Sequence, residues 1–278
     1  MKSMIEARIP ISAGSPAAAR FLVLVFFGAG LLPGQNALQP NPGAASTRMK
    51  PGLLRAELEF SVEAHGDRML KPGKERMVLA GTITRPASGS EPFQLVRQLP
   101  DLTRLDVQGA GTGAPAIGFD GSAPWTTAGR FEAGDSGLIE SLVYDTPERF
   151  FFMQAQGVPA RKLGANFRMD GKTGTPYSGP CYDIYLAVDS VRTANGTKLQ
   201  PKYYLVNSST LLLERIQYRD ASAGNVSIET VISDWLTVNG NRVPKTILRL
   251  EKGVEVLRLT VNSAAFGPAA TDGAFRGN

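Results

Sequence analysis

The chain holds few side chains that could do chemistry: one histidine, His65, and one cysteine, Cys181, in 278 residues. The most suggestive group is Ser136, in Gly134-Asp-Ser-Gly137, with His65 before it. A serine nucleophile needs an imidazole to take its proton and a carboxylate to orient that imidazole, and Asp101 and Asp106 are the candidates for the third role. Against a hydrolase, only 71 residues separate His65 from Ser136, and His65 sits in a turn-like Glu-Ala-His-Gly-Asp segment. The plainer role for Asp135 or Ser136 is to cap a helix that begins there. Metal sites built on imidazole or thiolate take roughly three or four such ligands, which one His and one Cys do not supply. No acidic loop is dense enough for calcium. Gly171-Lys172-Thr173 lacks the earlier glycine of a phosphate-binding loop, with Asn166 in its place, and Gly174 and Pro176 oppose the helix that should follow. Gly109-Ala-Gly-Thr-Gly113 reads as a loop for the same reason. The expectation is a non-enzymatic protein with no cofactor and no metal.

Composition points the same way. The formal charge is +5, and the basic residues are scattered, so nucleic acid is not expected as a partner. Lys2, Arg8 and Arg20 precede the apolar run Phe21–Leu32, which Pro33-Gly34 interrupts. That is the charged, apolar, small-residue order of a secretory signal. Twelve apolar residues fall short of the roughly 20 that a membrane-spanning helix needs, and no comparable run recurs. The expected organisation is a signal peptide over 1–39, a flexible linker over 40–51 rich in Pro, Gly and Asn, and a folded domain over 52–278. With one cysteine, that domain relies on its core rather than on disulfides.

The elements that must position any site are mostly strands. Leu54, Ala56, Leu58, Phe60, Val62 and Ala64 alternate with polar residues, which predicts a strand over 54–64. Similar stretches predict strands over 76–85, 93–98, 104–107, 116–119, 181–188, 202–206, 211–218, 226–236, 242–250 and 254–264. Asp120-Gly121, Asp170-Gly171, Asn195-Gly196 and Asn239-Gly240 suit tight turns, so neighbouring strands should run antiparallel. Asn195-Gly-Thr, Asn207-Ser-Ser and Asn225-Val-Ser match a glycosylation pattern, which matters only in a eukaryotic secretory pathway, and read as turns. Only 136–156 breaks the rhythm. Leu138, Ile139, Leu142 and Val143 fall at helical spacing, and Thr146-Pro147-Glu148 forms a helix start before Phe150-Phe-Phe-Met153. Two short helices ending at Gly157 are predicted.

The predicted fold is therefore mainly β: a large curved antiparallel sheet, or an incomplete barrel, with a short helical segment over its concave face. One helical pair covers part of such a face, and an apolar groove beneath it would hold a ligand. Phe60, Val62, Phe119, Trp125, Leu142, Phe150, Phe151 and Met153 are the residues expected to line that groove.

In the C-terminal half, Tyr182-Asp-Ile-Tyr-Leu, Lys202–Tyr218 (with Leu213-Glu-Arg-Ile216), Thr230–Ile247 (with Asn239-Gly240 before Val243-Pro244) and Leu257–Phe266 follow a familiar series of hairpins. With Phe119-Asp-Gly-Ser-Ala-Pro-Trp125, this resembles the LolA-like family of outer-membrane lipoprotein-sorting proteins and their bacterial relatives, over residues 54–266. The long glycine-rich insertion before Cys181 departs from the family, and no residue matches the arginine that gates the carrier's cavity. The resemblance implies a half-barrel closed by helices, an acyl chain of a lipid or lipoprotein as ligand, and no catalytic residues. It also offers, as an alternative, another envelope protein as partner in a regulatory role. The expected location is periplasmic or secreted, and the expected state a monomer that is not an integral membrane protein.

Overall fold

A computed structural model describes residues 51–66, 72–86, 88–107, 115–131, 134–171, 176–221 and 224–276. The expected signal peptide, nearly all of the linker, and Lys172-Thr173 lie outside them. The elements run α1 (Pro51–His65), β1 (Glu75–Arg85), β2 (Gly89–Gln98), β3 (Leu102–Val107), β4 (Ala116–Asp120), β5 (Pro124–Thr126), α2 (Asp135–Tyr144) and α3 (Pro147–Ala155). Then come β6 (Ala160–Arg168), β7 (Cys181–Thr193), β8 (Gly196–Asn207), β9 (Leu213–Asp220), β10 (Val226–Val238), β11 (Asn241–Glu251) and β12 (Val254–Pro268).

Among the described residues, twelve strands form one curved antiparallel sheet that does not close into a barrel. Its order is β5-β4-β3-β2-β1-β12-β11-β10-β9-β8-β7-β6. Two runs of neighbouring hairpins, β1 to β5 and β6 to β12, are therefore joined by one pairing, β1 against β12. The two sheet edges, β5 and β6, are consecutive in sequence, and the chain between them carries α2 and α3. A sheet this large must curl, and here the helices of that connection fill the face it curls around.

Turn chemistry sets the registers. Asn239 and Gly240 both take positive φ, 51° and 80°, between the paired Val238 and Asn241, as a two-residue hairpin turn requires. Lys252-Gly253 does the same between Glu251 and Val254, a turn the sequence reading missed. At Asn195-Gly196 the turn lies one residue earlier than expected, because Gly196 already pairs with Thr193. The short β5 and the edge strand β6 were also missed. Two register shifts and Asn166 at φ 52° interrupt β6, so its side chains lose the period-two signature.

The predicted strand over 54–64 is a correction: these residues lie in α1. Leu58, Ser61 and His65 are buried and Val62 half-buried, the i, i+3, i+4, i+7 stripe of a helix, while Phe60 is 58% exposed. Alternation misled because two members of the buried stripe are polar. Ser61 Oγ donates to the Leu211 carbonyl at 2.6 Å, and His65 is bonded at both ring nitrogens, so each is buried without loss of hydrogen bonds. Gly66, at φ 109°, ends the helix; a Cβ there would lie 2.5 Å from the Gly240 carbonyl oxygen. The two later helices fall where expected. Thr146 accepts from the Arg149 amide at 3.1 Å and Pro147 occupies the first turn. The cap of α2, however, is Gly134 with no side-chain bond, and Asp135 lies inside the first turn.

Apolar side chains form two large clusters. The first joins α2 (Leu138, Ile139, Leu142) to β1–β4, β11 and β12; the second joins Leu58 of α1 and Phe150, Phe151 and Met153 of α3 to β7–β10. The joint between the two hairpin runs has a sharp steric requirement. At the register shift between Ala80 and Gly81, a Cβ on Gly81 would sit 1.9 Å from the Thr260 carbonyl oxygen. Gly81→Ala is expected to cost about 3 kcal/mol in urea unfolding. Gly164→Ala on β6, where a Cβ meets nothing within 4 Å, should stay within about 0.5 kcal/mol of the parent.

Candidate functional site

The eight residues expected to line a groove do not converge on one. Phe119 and Leu142 belong to the first cluster, where Phe119 meets Tyr144 edge-on at 6.0 Å. Phe150, Phe151 and Met153, with Val62 alongside, belong to the second; Phe150 stacks on Tyr204 at 4.1 Å. Phe60 points away from both, and half-buried Trp125 lies at the β5 edge under Arg104, 5.8 Å from its ring. Among the described residues, Leu138, Ile139 and Leu142 of α2 and Phe150, Phe151 and Met153 of α3 are buried among side chains of the sheet.

Between the two clusters runs a seam of buried charges. Lys202 on β8 is 1% exposed, and its Nζ donates to Asp145 Oδ1 at 2.8 Å, Asp189 Oδ2 at 3.1 Å and the Tyr144 carbonyl at 3.1 Å. Arg149 on α3 donates to Asp189 Oδ1 at 2.9 Å and to Asp101 Oδ1 at 2.7 Å. Asp145, at the α2–α3 corner, also accepts from Ser141 at 2.8 Å and Tyr218 at 3.0 Å. Arg249 of β11 donates to the Gly137 carbonyl at 3.1 Å and to Ser141, and pairs with Glu251 at 2.9 Å. At the seam's end, Arg192 donates its backbone amide to the Tyr144 hydroxyl and its guanidinium to the Gly121 carbonyl in the β4–β5 turn. Strand pairing never joins the two ends of the sheet; this seam ties one to the other.

The charges are set by their neighbours. Burial alone would lower the Lys202 ammonium, but Asp145 and Asp189 outweigh it and hold it above the usual lysine range. Burial raises the Asp101 carboxyl against the opposing pull of Arg149 and Arg192. Burial likewise drives the Tyr204 and Tyr218 phenols far up, so both stay neutral. A second buried pair is looser. Arg97 and Glu148 approach only to 3.9 Å, and Arg97 Nε and Nη1 and Glu148 Oε2 have no hydrogen-bond partner.

The sequence carried an unread signal for this seam, namely charge in the apolar phase of a strand. Arg97 follows Phe93 and Leu95; Asp189 lies between Ala187 and Val191; Lys202 precedes Tyr204 and Val206; Arg249 follows Ile247. All of these are buried. The proposed Ser136–His65 pair, by contrast, is not assembled. His65 Nδ1 donates to the Ser61 carbonyl at 2.7 Å and Nε2 accepts from the Leu213 amide at 3.2 Å, while Phe151 and Trp235 pack edge-on against the ring. Both nitrogens are committed to backbone groups, so neither is available to take a proton from Ser136. No group of three or more His, Cys, Asp or Glu among the described residues is arranged to hold a metal ion. Nor is any described helix long and apolar enough to cross a membrane.

No protein-family model matches the chain. No curated protein matches it either. The open, curved antiparallel sheet with short helices is the fold class that the sequence predicted, and solved structures show a partial likeness to it. A LolA superfamily protein from Nitrosomonas europaea aligns with a TM-score of 0.49 and 12% identity, covering 78% of this chain and 96% of that one. A DUF1329 family protein from Desulfovibrio piger aligns at 0.48 and 12%, covering 80% and 96%. An outer membrane lipoprotein-sorting protein domain from Vibrio parahaemolyticus aligns at 0.48 and 8%, covering 79% and 94%. Neither a family nor a function is carried over to this chain from these likenesses.

Breaking one partner of a buried ion pair strands the other. Lys202→Met is expected to lower unfolding free energy by about 3–5 kcal/mol in urea titrations, because Asp145 and Asp189 each lose a bonded cation. Lys198→Met, where the half-buried ammonium bridges Glu140 at 2.9 Å and Asp220 at 3.3 Å, should cost less, about 1–2 kcal/mol.

Proposed function

We infer that this chain is an exported bacterial envelope protein, periplasmic or secreted, that binds an apolar ligand without catalysing a reaction. The ligand class is the acyl chain of a lipid or lipoprotein. One observation carries the reading. The concave face of the open sheet is covered by helical side chains, with Leu58 on α1 and Phe150, Phe151 and Met153 on α3 against β7–β10, rather than by a second sheet. A cover made of separate helices can part from the sheet and let a chain replace its side chains. Burying roughly ten methylenes returns about 8 kcal/mol, enough for micromolar affinity. The charged N-terminal residues and apolar run of 21–32 support export, and the resemblance of Lys202–Tyr218 and Thr230–Ile247 to lipoprotein-sorting proteins supports the ligand class.

A second reading, a protein-binding envelope module of the same fold, is favoured by a different observation. Val188 and Leu199 are 45% and 71% exposed on the face of β7–β8 turned away from the helices.

Exposure of the purified protein to a lipid extract, followed by native mass spectrometry and thermal unfolding, separates the two. Acyl-lipid binding predicts retained lipid masses and a melting temperature that climbs with ligand concentration, because a ligand that binds only the folded state stabilises it. Neither retained lipid nor any shift would sink the carrier reading and leave the protein-binding one.

A further inference from the structure

The attachment of α1 turns on a titratable group. Its buried stripe is held by Leu58 and Val62, by Ser61 bonded to the Leu211 carbonyl, and by His65. At its outer side Glu57 Oε2 accepts from Lys162 Nζ at 2.9 Å and from the Tyr185 hydroxyl at 3.1 Å. Only the neutral imidazole fits this arrangement. Its Nδ1–H donates to the Ser61 carbonyl, and its bare Nε2 accepts the Leu213 amide. A second proton would turn Nε2 into a donor facing another donor, and leave a cation in a nest with no carboxylate bonded to it.

The surroundings offer that cation little. From α3 come the Phe151 ring at 5.0 Å and, at longer range, Glu148, whose nearest cation is Arg97. From β10 comes the Trp235 ring at 5.2 Å, and from β9 the Leu213 amide. The β10–β11 turn presents Gly240 and Asn241 to the adjoining Gly66. Burial holds the imidazole below its ordinary value, against weaker upward pulls from the Ser61 bond and from Glu148. Released from the sheet, a charged His65 would instead sit in the last turn of α1, where a cation favours the helix.

We propose that α1 is a pH-released cover: neutral His65 holds it over the β7–β10 apolar cluster, and protonation in a mildly acidic medium lets it go. The α2–α3 corner, bolted by the Lys202 and Arg149 ion pairs, stays in place. The sign follows from linkage. A histidine whose folded-state value is depressed contributes stability that is fully present above the unfolded value near 6.5 and is lost as pH falls below it. Each pH unit in that window multiplies the open fraction by up to about ten. The inference rests on the acyl-binding reading only for what the opening would admit; the release itself is measured without ligand.

Hydrogen exchange at about pH 7.5 and about pH 5, corrected for the intrinsic pH dependence of exchange, tests it. Peptides spanning 51–66 should lose protection about tenfold or more at the lower pH while β9–β12 peptides keep theirs. His65→Gln, which is neutral at both values, should abolish the difference. Equal protection of 51–66 at both pH values overturns the proposal, as does an acid response that persists in His65→Gln. Should that variant not fold, the wild type still decides. The chain has a single histidine, so its imidazole resonance needs no assignment, and a loss of α1 protection whose midpoint departs from that titration overturns the proposal as well.

Discussion

The structure depends on Arg149 lying between Asp101 and Asp189, at 2.7 and 2.9 Å, with Lys202 bonded to the far side of Asp189. An open twelve-stranded sheet has two ends that its hydrogen-bond ladders cannot join. Asp101 follows β2 and Asp189 lies in β7, on distant parts of the sheet order, and Arg149 reaches both from the helix that crosses between them. Buried ion pairs are a poor source of net stability, because desolvating each charge costs about as much as the pairing returns. What they supply here is geometry. Apolar helix faces can slide on an apolar sheet; a guanidinium fixed to two carboxylates cannot.

The same seam divides the interior. On one side α2 packs against β1–β4, β11 and β12; on the other α1 and α3 pack against β7–β10. Of the eight residues expected to line one groove, Phe119 and Leu142 fall in the first cluster, Val62, Phe150, Phe151 and Met153 in or against the second, and Phe60 and Trp125 in neither.

How far these features could be read ahead depended on the range of the signal. The hairpin at Asn239-Gly240 and the helix start at Thr146-Pro147 are local. The residues that dictate them lie within a few positions of each other, and both were found where expected. Strand β6 was missed because its bulges erase alternation, and α1 was misread because Ser61 and His65 look like the wet face of a strand. They are buried polar groups whose partners, Leu211 and Leu213, lie about 150 positions away, at separations of 150 and 148.

Local sequence sufficed for a mainly β chain, for antiparallel hairpins such as the one at Asn239-Gly240, and for the two short helices predicted over 136–156. Nearest neighbours decide such things through turn geometry and side-chain period. Tertiary structure alone decided that α1 is a helix, that His65 serves backbone groups rather than Ser136, and that Arg97, Asp189, Lys202 and Arg249 face inward. A charge in the apolar phase of a strand looks the same in sequence whether it ends in solvent or in a bond. Its fate turns on whether a partner arrives across the fold, as Asp145 does for Lys202 from 57 residues away.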